Sequence, residues 1–162
     1  MAGNKKSEAQ ESGEKTICRN RKALHDYVIL DRLECGLVLT GTEVKSLRGG
    51  KASLEDAYAR LVDGEVWLIA ADIPEYAMGT HANHLPKRSR KLLLHRDEIN
   101  KFAGKATQRG MTLIPLRLYF REGKAKVELA VAQGKKLHDK RDDLKKSEAA
   151  REMKRAMGRN RK

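Results

Sequence analysis

The chain has 162 residues, enough for one domain whose core needs neither disulfide nor metal, with tails to spare. Its 35 Lys and Arg outweigh 22 Asp and Glu for a net charge of +13, which predicts a polyanionic partner bound through counterion release and favours nucleic acid over an anionic membrane. No run approaches the ~20 apolar residues that cross a bilayer, and the first residues lack the apolar stretch of a secretory signal, so a cytoplasmic protein without membrane partners is expected.

Residues 1–15 are polar, with three Lys against three Glu, and read as a disordered leader. Residues 16–133 carry the strand signals and read as one barrel domain. Asn20-Arg21-Lys22 sets an amide and two cations before the first strand. Tyr27–Leu33 and Gly36–Thr40 read as paired strands around a turn at Glu34-Cys35. Thr42–Leu47 reads as a short helix opened by Thr42 and stopped by Gly49-Gly50, with Lys45 and Arg48 on one side. Ala57–Val62 and Glu65–Ala70 flank Asp63-Gly64, the signature of a type I′ hairpin.

Residues 78–91 read as a loop that holds His81, Asn83, His84 and the run Lys87-Arg88-Ser89-Arg90-Lys91. A helix is predicted over Arg96–Gln108, with Ile99, Phe102 and Ala106 on one side and Gly110 as its stop. Thr112–Arg121 and Lys124–Ala132 flank Glu122-Gly123 as a second hairpin; Lys126, Glu128 and Ala130 oppose Val127, Leu129 and Val131. The predicted fold is mainly β: an oligonucleotide-binding (OB) type closed antiparallel barrel of about six strands with two to three helices.

Residues 134–162 form a basic tail with 12 Lys or Arg against 5 Asp or Glu. Ala150, Met153 and Met157 make a thin apolar stripe, and pairs of Asp142 with Lys145 or Lys146 and of Glu152 with Arg155 add little. An isolated helix of this kind is marginal in water, so the tail is expected to be disordered when free and helical within an RNA-walled channel.

Catalysis is not indicated. His25-Asp26 and His138-Asp139 are sequence neighbours that do not make a dyad. His81 and His84 lack further ligands to complete a metal site. Gly49-Gly50-Lys51 follows a helix signal instead of joining a strand to one, so it is no phosphate loop. Cys18 and Cys35 read as free thiols. No enzyme activity, cofactor or metal is expected. Basic clusters at Arg21-Lys22, Lys45 with Arg48, and Lys87–Lys91 suggest a phosphate-tracking surface. Aromatic residues make up only 4% of the chain, which favours a structured RNA held by shape and phosphates over a single strand read by stacking.

Asn20-Arg21-Lys22-Ala23, His25-Asp26-Tyr27, Glu34-Cys35-Gly36, Gly41-Thr42-Glu43-Val44-Lys45-Ser46-Leu47-Arg48, Asn83-His84, Arg88–His95 and Gly134-Lys135-Lys136 with Asp139-Lys140-Arg141 resemble the SsrA-binding (small protein B) family over about residues 17–155. The resemblance implies an OB-type RNA-binding adaptor of trans-translation. Such an adaptor binds the tRNA-like domain of transfer-messenger RNA (SsrA RNA) and brings it, with elongation factor Tu, to stalled ribosomes.

By the same resemblance, Asn20, Glu34, Leu93 and Lys126 contact the RNA, and Arg21, Lys22, Lys45, Arg48, Arg90 and Lys91 complete the candidate surface. Taken alone, Leu93 within Leu92-Leu93-Leu94 reads as core. Gly134, Lys135, Lys136, His138, Asp139, Lys140 and Arg141 correspond to the contact with small-subunit rRNA in the decoding centre, and the rest of the tail to a segment in the empty mRNA channel. Cys35 and Asp72 depart from the family's usual small alanine and its His or Asn. Composition also accommodates a general rRNA-binding or ribosome-assembly protein with the same barrel.

Overall fold

A computed structural model describes residues 13–159. In chain order the elements are β1 (Glu14–Arg19), α1 (Arg21–Asp26), β2 (Tyr27–Leu37), α2 (Gly41–Arg48), β3 (Tyr58–Val62), β4 (Glu65–Ile69), β5 (Arg90–Leu93), α3 (Arg96–Ala106), β6 (Met111–Arg121), β7 (Lys124–Gly134) and α4 (Leu137–Arg159). The expected leader up to residue 12 lies outside the described residues, whereas Glu14 and Lys15 belong to β1.

Two tight turns set the registers. Asp63 and Gly64 have φ of 51° and 75°, and Glu122 and Gly123 have 50° and 75°. Both central residues of each turn are thus left-handed, the type I′ geometry whose twist matches its strands. These turns pair β3 with β4 and β6 with β7 in the expected hairpins.

The pairing β6–β3–β4–β5–β2–β7 returns to β6, so six strands form a ring. β1 pairs with the C-terminal half of β6, while β3 meets β6 at Ala59↔Leu113. This agrees with the expected small antiparallel β fold, with seven strands and four helices among the described residues in place of about six and two to three. The expected turn at Glu34-Cys35 is absent. β2 runs through both residues, pairing first with β7 and then, at Gly36 and Leu37, also with β5. A half-buried, alternating segment needs no turn there, because each of its edges has a partner.

Inside the ring, Cys35, Val66, Leu68, Leu92, Leu118, Val127, Leu129 and Val131 join Leu47 of α2 and Phe102 of α3 in one apolar cluster. The cap of α2 is Thr40 and not Thr42: Glu43 Oε2 accepts the Thr40 N–H at 2.8 Å. On the outside, α1 buries Ala23 against Ile114, Leu116, Ala130 and Ala132.

Where disorder is expected for the free chain, Leu137–Arg159 is a single helix. Nucleation is the costly step in helix formation, and here the backbone N–H of Lys135 donates to Asp26 O at 2.9 Å while Lys140 Nζ donates to Asp26 Oδ1 at 3.1 Å. With its root held, α4 propagates through Ala, Glu, Lys, Arg, Leu and Met, all good helix formers.

Candidate RNA-binding surface and tail

Alternation along three neighbouring strands builds an outward face. Cys35, Leu92 and Val127 are buried, so Glu34 and Gly36 on β2, Lys91 and Leu93 on β5, and Lys126 on β7 point the other way. Gly36 is directly opposite both Leu93 and Lys126, which aligns the three in a row with Glu34 beside it. Leu93 is 52% exposed, contrary to the core reading of Leu92-Leu93-Leu94. A β-carbon on Gly36 would stand 3.1 Å from Leu93 Cβ, so only glycine lets this leucine lie across β2 without displacement. Glu34, Leu93, His95, Phe120, Lys124 and Lys126 line an open cleft of about 800 Å³.

Glu34 is held as an anion. The Tyr119 hydroxyl donates to its Oε2 and Arg121 Nη1 lies 3.2 Å away. Tyr119 first, then Arg121 and Lys126, keep this carboxyl below its usual range. Burial and the Glu34 charge push the Tyr119 hydroxyl up, so it stays a donor.

Two expected contact residues are internal. Asn20 is 1% exposed; its Nδ2 donates to Leu54 O at 2.8 Å and Pro115 O at 3.1 Å, and its Oδ1 accepts the Ala23 N–H at 3.0 Å. This amide therefore caps α1 and ties it to the ring, with no group left for RNA. Arg90 is fully buried. Its Nε donates to Glu43 Oε1 at 2.8 Å, and its Nη1 and Nη2 donate to the carbonyls of Ala71, Arg88 and Pro86.

Arg88 grips the same carboxylate through Nε at 2.7 Å and Nη2 at 2.6 Å. Burial of Glu43 would raise its pKa, but these bonds, the Thr40 N–H and the Arg90 charge hold it at about 2. Of the run Lys87–Lys91, then, Arg88 and Arg90 are structural and Lys91 is paired with Glu65. His84, also buried, bridges Thr42 Oγ1 at 2.9 Å and Ile73 O at 2.8 Å.

The candidate cations on α1 and α2 are exposed. Lys45 and Arg48 are on α2, which gives the cleft only Val44, and Lys45 Nζ sits 5.5 Å from the Tyr76 ring centre. Arg21 and Lys22 are exposed on α1, where Lys22 reaches Asp56 at 3.4 Å. Lys22 borders a separate, smaller cleft with Asp56 and Thr112, so α1 does not share the face of Glu34 and Leu93.

At the root of the tail, Lys135 donates to Leu24 O at 3.2 Å and Asp143 Oδ2 at 2.6 Å, and Lys140 donates to Asp26. Lys136, His138 and Arg141 are exposed, with His138 Nε2 3.0 Å from Asp139. Every residue from Arg141 to Gly158 is exposed, including Met153 and Met157. Among the described residues, the expected pairs of Asp142 and Glu152 with downstream cations are not formed.

A ladder that sequence reasoning missed crosses four strands on the outside: Glu14 to Arg117 at 3.1 Å, Arg117 to Glu128 at 2.5 Å and Glu128 to Arg32 at 3.1 Å. Its signal was the alternation of Arg117, Tyr119 and Arg121 along β6. Cys18 and Cys35 are free thiols, pushed up by burial to about 11 and about 12, and so stay protonated at neutral pH. Among the described residues no group of His, Cys, Asp and Glu is arranged to hold a metal ion, and no helix is long and apolar enough to cross a membrane.

The chain matches the SmpB protein family across residues 17–159. The SsrA-binding protein of Saccharopolyspora erythraea is 62% identical over 154 residues, covering 95% of this chain and 98% of that protein. The SsrA-binding protein of Thermobifida fusca is 59% identical over 157 residues, covering 97% and 98%. A solved chain from "tmRNA-SmpB: a journey to the center of the bacterial ribosome" matches with a TM-score of 0.64 and 50% identity, over 74% of this chain and 85% of its own. With an outward cleft of Glu34, Leu93 and Lys126, a cationic tail and similarity spanning nearly its full length, this chain belongs to the SmpB protein family, that of the SsrA-binding proteins.

Proposed function

We propose that this protein is the RNA-binding adaptor of trans-translation, with its β ring as the holder of transfer-messenger RNA and its tail as the part that enters the ribosome. The observation that carries the reading is the separation of two surfaces on a chain 62% identical to an SsrA-binding protein. One is an open cleft on the ring; the other is a solvated cationic helix leaving it.

On the cleft, Lys126 and Lys124 face phosphates and ionised Glu34 accepts from ribose hydroxyls or exocyclic amino groups, while Leu93 packs on a sugar or base. These contacts read shape and backbone, as a tRNA-like fold requires. The tail meets the decoding centre through Gly134, Lys135, Lys136, His138, Asp139, Lys140 and Arg141, where His138 stacks on an rRNA base and the cations hold phosphates. Beyond them, α4 spans roughly 35 Å at 1.5 Å per residue, a length suited to following an mRNA channel that contains no mRNA. The chain supplies no catalytic group; peptide transfer is left to the ribosome. Elongation factor Tu joins through the RNA, in the cytoplasm.

The test is which RNA co-purifies with the protein from bacterial cells. Transfer-messenger RNA in stoichiometric amount supports the reading, and rRNA alone would assign the chain to ribosome assembly.

A further inference from the structure

Trp67 is the chain's single tryptophan, and it is not part of either core cluster. Its neighbours Val66 and Leu68 are 2% and 1% exposed, so its half-buried indole is on the outward side of β4. Arg60 of β3 is directly opposite Trp67 on one side and Lys91 of β5 on the other. The result is a row of cation, aromatic ring and cation across three strands. Lys91 is paired with Glu65 at the surface, the two side chains 38% and 42% exposed, a contact weak enough for a phosphate to replace. Tyr58, 40% exposed, and Ile69 form the next outward pair.

The row is continuous with the cleft. Lys91 and Leu93 share the outward side of β5, and Leu93 is opposite Gly36, whose other partner is Lys126. Duplex RNA keeps its bases stacked within the helix, so an outward indole between two cations suits an unpaired nucleotide, whose base offers a free face and whose phosphates lie within reach of both charges. An indole flanked by guanidinium also suits protein partners, but the two cations and the unbroken face to Lys126 favour the polyanion already assigned to it.

The geometry points to a second contact region for the same RNA: an unpaired loop nucleotide stacks its base on Trp67 while Arg60 and Lys91 hold its phosphates. This rests on the RNA-binding reading above and extends it across β3 and β4.

Because no other residue is a tryptophan, emission from the full chain reports on this site alone. Titration with the tRNA-like domain of transfer-messenger RNA is expected to quench it to about half or less, at the midpoint given by gel shift. Trp67→Phe is expected to bind within about threefold of the native chain, whereas Trp67→Leu and Arg60→Glu weaken binding about tenfold. A complex that forms with emission unchanged in intensity and wavelength overturns the proposal and leaves the RNA-binding reading standing, and this holds whether or not the variants fold. A change seen only when a protein factor joins the RNA complex overturns it too. Absence of any complex with this RNA overturns the function reading itself.

Discussion

In the β ring, Arg88 and Arg90 commit their guanidinium groups to the buried Glu43; in α4, by contrast, no described Lys or Arg beyond Asp143 has a carboxylate partner. The residue types are the same, and what differs is whether a strand or helix brings a carboxylate to meet them. Glu43 does so because α2 folds against the segment that leads into β5, burying the carboxylate and Arg90 together. An uncompensated charge there would be costly, and each is stable only because the other is present. Beyond Asp143 the tail offers no such burial, so its cations there remain available to an external polyanion. Local charge density is thus a poor guide to a binding surface until the fold shows which charges are already used.

The sharpest way to break this contrast is Glu43→Gln. It leaves Arg90 buried beside a neutral amide, and about 3–5 kcal/mol of stability should be lost, read as a large fall in melting temperature with RNA binding lost only through unfolding. Acid should act through the same group. Its folded pKa is about 2 against an ordinary 4.5, so the stabilisation is complete above about pH 5 and disappears as pH falls towards 2. The loss amounts to roughly 3 kcal/mol. Chemical denaturation across this window should show a steeper dependence in the native chain than in a Glu43→Gln variant, where Glu34 and the other stabilised carboxylates still contribute.

Asn20→Ala should come next, at about 1–2 kcal/mol for a lost helix cap and its anchoring bonds. Measured on the folded fraction, its RNA affinity should match the native chain, because the amide faces Leu54 and Pro115 and not solvent. Lys126→Ala should do the reverse: an unchanged melting temperature with RNA affinity weakened about tenfold, the loss of one charged contact. Asp26→Ala should have the smallest effect, fraying the first turn of α4 by releasing Lys140, seen as a modest drop in helical circular dichroism with RNA binding unchanged.

Much of the architecture was legible in the residues. Asp63-Gly64 and Glu122-Gly123 announced both hairpins, since few dipeptides tolerate two left-handed positions, and the alternation around Val127 and Leu129 identified the inward face of β7. Other features depend on contacts that periodicity does not encode. β2 passes through Glu34-Cys35 because two different strands pair with it, a long-range fact. Asn20 and Arg90 look like surface residues from their type and neighbours, yet Leu54, Pro115 and Glu43, at 34, 95 and 47 residues' separation, draw them inside. Leu93 looks like core, and Gly36, 57 residues away in sequence, lets it lie outward. The continuity of α4 was hidden for the same reason: its nucleating contacts belong to the α1–β2 corner and not to the tail.

The division of labour between ring and tail is tested most directly by a chain ended after Gln133, assayed both for affinity to the tRNA-like domain and for peptide tagging on stalled ribosomes. The account predicts affinity within about twofold of the full chain, because the cleft of Glu34, Leu93 and Lys126 is intact, together with complete loss of tagging. Loss of RNA binding in a truncated chain that retains its native melting transition, or tagging that survives without the tail, would contradict it.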